Sequence, residues 1–447
     1  MRHHEELARF ACGLRLADLP AEVLDRARLL VADTIPVVGA GMRQPEMQAL
    51  LQRHLPGAAS GRAWAIGAGR TVGPLDAALL NGTAGTWLEL NEGNLHSKGH
   101  PGIQVTPAAL AQAQASAATG EALLLGVVAG YEVCSRIGRA AQVRINVHPH
   151  GTWGTIGAAV AAGKILGFDE KRMATLINVA ASMGMATSRQ TLLEGSTVRN
   201  IFTGHAGYMG LMATRLVESG FTGEKDAVAS VFGGVLSDGF DPALAVKDLG
   251  RDWLLPKGYI KLHPTGRYVH SVLDALEDLL SRMGKLDIAR IARIDVRAYR
   301  LAAMLKEKRV TSSFGARFSV PFALATVLHH GRSGLEPFEQ AAVDNPAVQA
   351  IAAKVEVEED ASFTARYPGE QPVELRVTMA DGAVHEGRCT ITKGEVARPH
   401  TREEIEGKFR QLARPLWGEA VAERLWQGCR TLEAIPDFAR FSQGFDL

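Results

Sequence analysis

Four polar segments of the chain each end at or shortly before a predicted helix. They span residues 91–102, 148–152, 195–204 and 261–270. A helix start favours bound anions, because its first N–H groups lack partners and its dipole is positive there. The cations available in and near these segments are Lys98, Arg199, Lys261, Arg267 and Arg317. The pattern therefore indicates a site for an anionic ligand.

Histidine side chains accompany these cations, and histidine titrates nearest to neutral pH. His148 and His150 lie on a predicted loop, because Pro149 disfavours helix at the preceding residue and Gly151-Thr152 supplies a turn and a cap. A positioned imidazole can remove a proton from a substrate. A histidine beside a helix is also often a structural hydrogen-bonding residue, and this role is favoured for His96, His150, His205 and His263.

A zinc site is an alternative use of the paired histidines at 96 and 100 and at 148 and 150. No acidic or cysteine ligand accompanies them at metal spacing, so we expect no metal there. The four cysteines never form a C-x-x-C pair, which argues against a cysteine-based cluster. Gly151, Gly154 and Gly157 do not follow a predicted strand, so they fail the test for a dinucleotide-binding loop.

The histidine loop leads into a helix, predicted from residue 154 onward, that is rich in small residues. On one face it carries, at i, i+3, i+4, i+7 and i+8, Gly154, Gly157, Ala158, Ala161 and Ala162. Glycine costs a helix roughly 1 kcal/mol relative to alanine, so close packing by another helix is needed to compensate. We expect the central helix of a bundle, with two imidazoles at its N-terminal end.

Helical periodicity extends over most of the chain. The further predicted helices span 5–14, 20–39, 45–54, 74–90, 108–118, 121–140, 169–188, 205–219, 269–284, 320–330, 402–413 and 418–432. No strand is predicted between 5 and about 250. Alternation of period two predicts strands at 291–299, 353–358, 373–379 and 384–392, with Asp381-Gly382 as a hairpin turn.

These elements predict a mainly α protein with a smaller α+β part. We expect a large helical domain formed by residues 1–264 and 396–447, with an α+β lid domain at 265–395 inserted between its two halves. A cleft between two such domains is a common place for a small ligand.

Composition excludes several classes of protein. The 447 residues carry 49 basic and 48 acidic side chains, and no run of Lys and Arg is long enough to follow a nucleic acid. The most apolar stretch, at 122–131, is much shorter than the roughly 20 residues of a membrane span. Acidic residues near the start argue against a signal peptide. We expect a cytoplasmic protein without nucleic-acid or membrane partners.

The order of five motifs resembles the MmgE/PrpD family. They are L-E-L-N-E-G-N…G-H-P-G (88–102), H-P-x-G-T-x-G-x-x-G-A-A (148–159), G-S-T-V-R-N-I-F-T-G-H-A (195–206), K-L-H-P-T-G-R-Y-V-H (261–270) and A-R-F-S-V-P-F-A (316–323). The family includes 2-methylcitrate dehydratase, cis-aconitate decarboxylase and iminodisuccinate epimerase. The resemblance implies the same two domains, a homodimer, no metal or organic cofactor, and a cleft for small polycarboxylates.

The resemblance also implies roles for particular residues. His100, His148 and His270 match the family's histidine positions and are expected to transfer protons, and Arg199 and Lys261 complete the expected catalytic set. The expected substrate contacts are Asn91, Glu92, Asn94, Lys98, His150, Thr152, Arg267, Arg317 and Phe322. Arg199 and Arg317 have an alternative role as ion-pairing residues between the domains.

Departures from the family pattern affect the expected reaction. Asn91-Glu92 and Asn94 stand where members usually carry Asp-Asp and a His or Thr, Arg199 replaces a usual lysine, and Phe322 lacks a tyrosine hydroxyl. Arginine can clamp a carboxylate but is a poor base. We expect a lyase, most simply a dehydratase, acting on a small di- or tricarboxylate other than those of the best-known members. The alternatives are an epimerase or a non-catalytic binding protein.

Overall fold

Helices dominate the computed structural model, which describes residues 2–443. The helices of its first half are α1 (His3–Gly13), α2 (Ala21–Met42), α3 (Pro45–His54), α4 (Pro74–Trp87), α5 (Pro101–Ala115), α6 (Gly120–Ala140), α7 (Trp153–Ile165), α8 (Glu170–Ala181), α9 (Gln190–Leu193), α10 (Ile201–Glu218), α11 (Ala227–Ser230) and α12 (Pro242–Val246). Those of its second half are α13 (Arg267–Met283), α14 (Arg300–Ala303), α15 (Ser313–Ala316), α16 (Val320–His330), α17 (Gln340–Val343), α18 (Pro346–Ala352), α19 (Ala361–Thr364), α20 (Arg402–Trp417), α21 (Glu419–Arg430) and α22 (Phe438–Gln443).

Shorter elements connect these helices. Single 3-10 turns occur at Leu16–Asp18, Leu55–Gly57, Thr197–Asn200, Leu255–Lys257, Ile288–Arg290, Glu336–Phe338 and Leu432–Ala434, and a π-helical turn occurs at Val231–Val235. The strands are β1 (Ala63–Ala65), β2 (Arg70–Val72), β3 (Ala141–Val143), β4 (Val147–His148), β5 (Thr187–Ser188), β6 (Ser237–Phe240), β7 (Ile291–Ala298), β8 (Val355–Glu359), β9 (Val373–Met379) and β10 (Val384–Cys389). The prediction of a mainly α fold with a smaller α+β part is confirmed.

Helix α7 lies inside the helical part, as its small residues predict. A Cβ atom added to Gly157 would lie 2.7 Å from Cys134 Sγ on α6 and 2.7 Å from Val105 Cγ2 on α5. On the α10 side, a Cβ at Gly210 would lie 2.5 Å from the Cβ of Ala158. Helices approach α7 on several sides at distances that larger side chains would prevent.

Several expectations about local structure are wrong. The helix expected at 169–188 ends at Ala181, and its last two residues form strand β5. Six short strands, β1 to β6, occur before residue 250, each of only two to four residues and therefore too short to give a period-two pattern. The helix expected at 108–118 begins seven residues earlier, at Pro101, and contains Pro107. Residues 101–111 are all buried, and packing of this segment outweighs the hydrogen bond that Pro107 removes.

A four-stranded sheet forms the centre of the smaller part. Its strand order is β10-β9-β7-β8, in which β7 pairs in parallel with β8 and antiparallel with β9. The turn between β9 and β10 contains Gly382 at φ +85°, as the Asp-Gly pair predicts. Helix α13 covers the sheet closely, since a Cβ at Gly387 would lie 2.0 Å from the carbonyl oxygen of Ala275.

The apolar side chains form two separate clusters. The helical cluster contains residues between Leu7 and Leu255 together with residues between Phe409 and Phe438, and the sheet cluster contains residues between Val269 and Cys389. Both ends of the chain thus contribute to one core. The proposed domain limits, 1–264 with 396–447 and 265–395, stay a prediction.

A buried ion pair ties the C-terminal helices to the N-terminal ones. Lys408 on α20 lies 2.6 Å from Asp33 Oδ1 on α2, and both side chains are nearly inaccessible to solvent. The Lys408 ammonium also donates to the carbonyl oxygen of Leu90 at 2.7 Å. The segment after α4 is therefore held by a residue more than 300 positions away. Within residues 2–443, no helix combines the length and apolar character needed to cross a membrane.

Candidate active site

A cavity of about 240 Å³ lies where the two apolar clusters meet. Trp153 of the helical cluster and Phe318 of the sheet cluster both line it. Seven residues predicted for the site border this space: Asn94, Lys98, His100, His148, His150, Arg199 and Arg267. The structure therefore brings together side chains that are distant in the sequence.

Glu89 is the charged residue at the centre of the cationic side of the cavity. One of its carboxylate oxygens pairs with Arg199, and the other accepts from Lys261 Nζ at 2.9 Å. All three side chains are almost completely buried. Lys261 does not line the cavity and contacts it through Glu89. Arg199 also lies over the ring of Phe318, with 5.6 Å between guanidinium and ring centre.

The charges of this cluster are set by burial and by mutual attraction. Burial would raise the pKa of Glu89, but Arg199 and Lys261 outweigh it and lower the pKa to about 2. Burial lowers the pKa of Lys261 to about 8, against the opposing effect of Glu89. At neutral pH the cluster therefore holds two cations and one anion, with one positive charge in excess.

Glu89 also has an unusual backbone conformation. It follows α4 at φ +51°, in the left-handed region that favours glycine. Lys98, on the same loop, has φ +59°. Non-glycine residues in this region cost of order 1 kcal/mol and cluster at functional sites. The backbone thus accepts strain at two residues whose side chains face the cavity.

The orientation of His100 is set by a backbone carbonyl. Its Nδ1 lies 2.7 Å from the carbonyl oxygen of Glu92, which can only accept, so Nδ1 carries the proton and Nε2 keeps its lone pair. Burial, together with the positive charge of Lys261, lowers the pKa of His100 to about 3. The ring is therefore neutral at pH 7 and is held in the tautomer that a base requires.

His148 and His150 contact each other beside His100. Their ring centres are 4.6 Å apart, and the ring centres of His100 and His150 are 5.1 Å apart. The His150 backbone N–H donates to His148 Nδ1 at 3.1 Å, and Arg199 Nε faces His148 Nε2 at 3.3 Å. Burial and the adjacent Arg199 hold the pKa of both rings well below the ordinary value.

His150 has unsatisfied polar atoms. Within residues 2–443, neither of its ring nitrogens has a hydrogen-bond partner, although the side chain is fully buried. Buried polar groups almost always find partners in folded proteins. Because His150 lines the cavity, a bound ligand could supply the missing hydrogen bonds.

Glu92 lies behind His100 and does not line the cavity. Tyr131 Oη donates to Glu92 Oε1 at 2.6 Å, and the Gly102 N–H at the start of α5 donates to Oε2 at 2.8 Å. Burial raises the pKa of Glu92 to about 7 despite these hydrogen bonds. The backbone carbonyl of Glu92 accepts the hydrogen bond from His100 Nδ1, so Glu92 fixes the imidazole on the side away from the cavity.

The two asparagines of this loop differ in their contacts. Asn94 uses its amide group inside the protein: Nδ2 donates to Tyr131 Oη at 3.0 Å and to the Leu254 carbonyl at 2.8 Å, and Oδ1 accepts the His96 N–H at 2.9 Å. Asn91 Nδ2 donates to the Glu92 carbonyl at 3.2 Å, and Asn91 does not line the cavity. Asn94 therefore lines the cavity, but its amide group serves to hold the loop in shape.

Three further predicted contacts are engaged with backbone groups. Lys98 Nζ donates to the carbonyl of Ala141 at 2.7 Å. Thr152 Oγ1 donates to the carbonyl of Pro149 at 2.6 Å and does not line the cavity. Arg317 donates to the Pro264 carbonyl at 3.0 Å, so it connects the fifth motif to the fourth. Arg317 does not line the cavity.

The remaining predicted residues lie on the side of the sheet cluster. Arg267 lines the cavity, stacks 4.1 Å above the ring centre of Tyr259 and pairs with Glu395 at 2.6 Å. His270 and Phe322 do not line the cavity. The ring of His270 packs 5.0 Å from that of His263, and Phe322 packs against the core.

Sequence reasoning missed several cavity residues, which are Glu89, Arg189, Tyr259, Tyr268 and Phe318. Glu89 lies within the first motif, three residues before Glu92. Its position in this motif is the sequence feature that could have indicated a role in the site. Its left-handed backbone and its two cationic partners become visible only in three dimensions. Tyr268 belongs to the fourth motif, and Tyr259 precedes that motif by two residues.

Comparisons with known proteins match nearly the whole chain. The MmgE/PrpD N-terminal domain matches residues 5–244, and the MmgE/PrpD C-terminal domain matches residues 263–433. Similar proteins include cis-aconitate decarboxylases of Aspergillus terreus (24% identical, covering 97% of this chain and 94% of the relative), Homo sapiens (25%, 97% and 92%) and Mus musculus (25%, 97% and 91%). Two family domains in the expected order cover most of the sequence, and the chain belongs to the MmgE/PrpD family.

Proposed function

We propose that this protein is a cofactor-independent lyase that acts on a small di- or tricarboxylic acid of the aconitate or 2-methylcitrate type. The observation that carries the proposal is the row of neutral imidazoles, His100, His148 and His150, which faces the cavity beside Arg199. The names of the similar decarboxylases support the substrate class.

The cations suit a ligand with several carboxylates. Arg199 and Lys261 exceed the charge of Glu89 by one, and Lys98, Arg189 and Arg267 also line the cavity. A carboxylate placed against Arg199 would make charge-assisted hydrogen bonds in a buried setting. Glu89 keeps Arg199 in place before the substrate arrives, which reduces the cost of ordering it.

His100 is the proposed base. Its Nε2 lone pair is free, and the approach of substrate carboxylates would raise its pKa, because negative charges stabilise the imidazolium. His100 would take the proton from the carbon next to a carboxylate, and the C–H electron pair would move into that carboxylate, where Arg199 stabilises the added charge. In a dehydration, the pair then expels a hydroxyl group from the adjacent carbon. The His100 imidazolium returns its proton to this hydroxyl, which leaves as water, and His100 is neutral again.

Dehydration is the first reaction to test, since neutral imidazoles favour proton removal at the start of the reaction. Decarboxylation is the second candidate, because the similar proteins carry that name. In decarboxylation the carbon–carbon bond breaks, carbon dioxide leaves, and the remaining electron pair takes a proton from His100, which must then be in its imidazolium form. Both reactions use the same cations and the same imidazoles.

The test is incubation of the protein in deuterated water with citrate, 2-methylcitrate, cis-aconitate and iminodisuccinate, followed by NMR and carbon dioxide detection. New alkene signals without carbon dioxide indicate a dehydratase, and released carbon dioxide indicates a decarboxylase. Deuterium exchange without either product indicates an epimerase and contradicts the lyase assignment. Binding with no exchange and no product contradicts the enzymatic proposal.

A further inference from the structure

A second cluster of side chains that could bind a ligand lies outside the cavity lining. It joins His3 and His4, in the first turn of α1, to Asp226, which caps the N-terminus of α11. His3 and His4 are buried, at 7% and 1% exposure, and the side chain of Asp226 is partly open to solvent. We propose that these three residues bind a divalent transition-metal ion of the zinc class.

The distances from the two imidazole nitrogens to Asp226 are longer than ordinary hydrogen bonds and lie near the ligand spacing around a metal. His3 Nε2 lies 3.3 Å and His4 Nδ1 lies 3.7 Å from the same oxygen, Asp226 Oδ1, and all three atoms lie within 4.8 Å of one another. N–H···O hydrogen bonds are usually about 2.7–3.2 Å long. Tetrahedral zinc with metal–ligand distances of about 2.0–2.2 Å places neighbouring ligand atoms roughly 3.3–3.6 Å apart.

The two imidazole nitrogens that face Asp226 are not engaged in hydrogen bonds within residues 2–443. In the described part of the chain, His3 Nε2 and His4 Nδ1 have no hydrogen-bond partner, although both atoms are buried. Two buried acceptors aimed at one carboxylate form the nitrogen and oxygen donor set that zinc and similar ions prefer. It is also the one group of three such ligands found among residues 2–443.

The surroundings hold the ligands and leave a route for the ion. Asp226 Oδ1 accepts the Ala229 N–H at 3.1 Å, which fixes the carboxylate, and the ring of His3 packs 5.4 Å from that of Phe240. His4 also borders a cavity of about 530 Å³ that opens to solvent. Three protein ligands leave a fourth position for water on the exposed side of Asp226.

The sequence alone hides this site, because Asp226 lies more than 220 residues from the adjacent histidines. A bound ion would connect the first turn of α1 to the start of α11. Its expected role is therefore to anchor α1, which packs beside α8. This inference does not depend on the proposed reaction, since none of its three residues lines the cavity with His100.

The test is zinc titration of the untagged full chain after treatment with a chelator. We expect one equivalent of Zn²⁺ to bind by calorimetry and to raise the thermal unfolding temperature. His3→Gln removes a ligand, and Asp226→Asn weakens one while keeping an acceptor for the Ala229 N–H. Each should weaken zinc binding by more than the roughly 10- to 100-fold that loss of an outer-shell partner costs.

His54→Gln is the matched control. His54 Nε2 contacts Asp76 Oδ1 at 2.9 Å, so this variant removes a histidine–aspartate pair that lacks a third ligand. It should bind zinc as the unmodified protein does. The proposal is overturned if the unmodified protein binds no zinc, or if its zinc survives in both His3→Gln and Asp226→Asn. Loss of that zinc in His150→Gln alone would place the ion in the other cavity and would also overturn it.

Discussion

The carboxylate of Glu89 positions the cationic side chains of the site, although we assign it no part in proton transfer. It fixes Arg199 and Lys261 and prevents two buried cations from facing each other alone. An isolated buried charge is costly, and its partner must therefore be close. The left-handed backbone of Glu89 costs of order 1 kcal/mol that a glycine would avoid, but glycine would leave both cations unpaired.

Replacing His100 tests the proposed base. His100→Gln should lower kcat by about 10²- to 10⁴-fold, since glutamine has no basic nitrogen to take a proton. The measurement is steady-state kinetics with the acid identified by the substrate panel. His96→Gln is the control, because His96 is on the same loop but does not line the cavity. Equal losses in both variants would remove His100 from the mechanism.

Replacing Arg199 tests the carboxylate clamp. Arg199→Ala should weaken substrate binding by about 2–4 kcal/mol, or roughly 30- to 1,000-fold in KM, because a buried charged hydrogen bond is lost. Arg189→Ala, which removes a half-buried cation that donates to two backbone carbonyls, should have a smaller effect. An unchanged KM in Arg199→Ala would contradict the clamp.

Glu92 predicts a pH dependence of stability. Its pKa is raised from 4.5 to about 7, so the folded state holds a proton that the unfolded state releases between these values. The stabilisation is complete below about pH 4.5 and is lost as the pH rises through about 7, a difference of roughly 3 kcal/mol. Chemical denaturation across this range should show a flatter profile for Glu92→Gln. An identical profile would contradict a protonated Glu92.

Helix α7 requires small residues on the face that other helices approach. Gly157→Leu should destabilise the protein by at least about 1–3 kcal/mol, because the new side chain would collide with Cys134 and Val105. Gly13→Leu is the matched control, since a Cβ at Gly13 meets nothing within 4 Å. Thermal unfolding of both variants provides the measurement, and equal melting temperatures would show that the contact is not tight.

The sequence predicted those elements whose pattern is long and regular. The helices at α3 and α16 and strand β9 have the expected limits. Two-residue strands such as β4 are too short to show a periodic pattern. Pro107 indicated the start of a helix, because proline removes a backbone hydrogen bond within a helix. In the folded protein, the burial of α5 outweighs this local cost. Of the cavity lining, His100 and Arg199 were predicted from their motifs, and their chemical roles stay a prediction. Glu89 was missed because only the folded structure shows its left-handed backbone and its two cationic partners.

At the scale of the whole molecule, the ion pair between α20 and α2 connects the chain ends. Lys408→Met should lower the free energy of unfolding by about 3–5 kcal/mol, because Asp33 would remain buried without its partner. The double variant Asp33→Asn with Lys408→Met should recover part of this loss. Chemical denaturation measures both, and a Lys408→Met protein as stable as the unmodified one would contradict the argument. The homodimer implied by the family stays a prediction.

The contact between Lys408 and the Leu90 carbonyl also bears on how the protein is made. The ribosome releases the loop of Glu89 and His100 long before it releases α20, so the early loop waits without its ammonium donor. A gene divided in the gap between the two family domains, after residue 244 and before 263, would separate α2 from the helices that cover it. The two polypeptides would have to be co-expressed and reassociate before either could acquire a finished binding pocket.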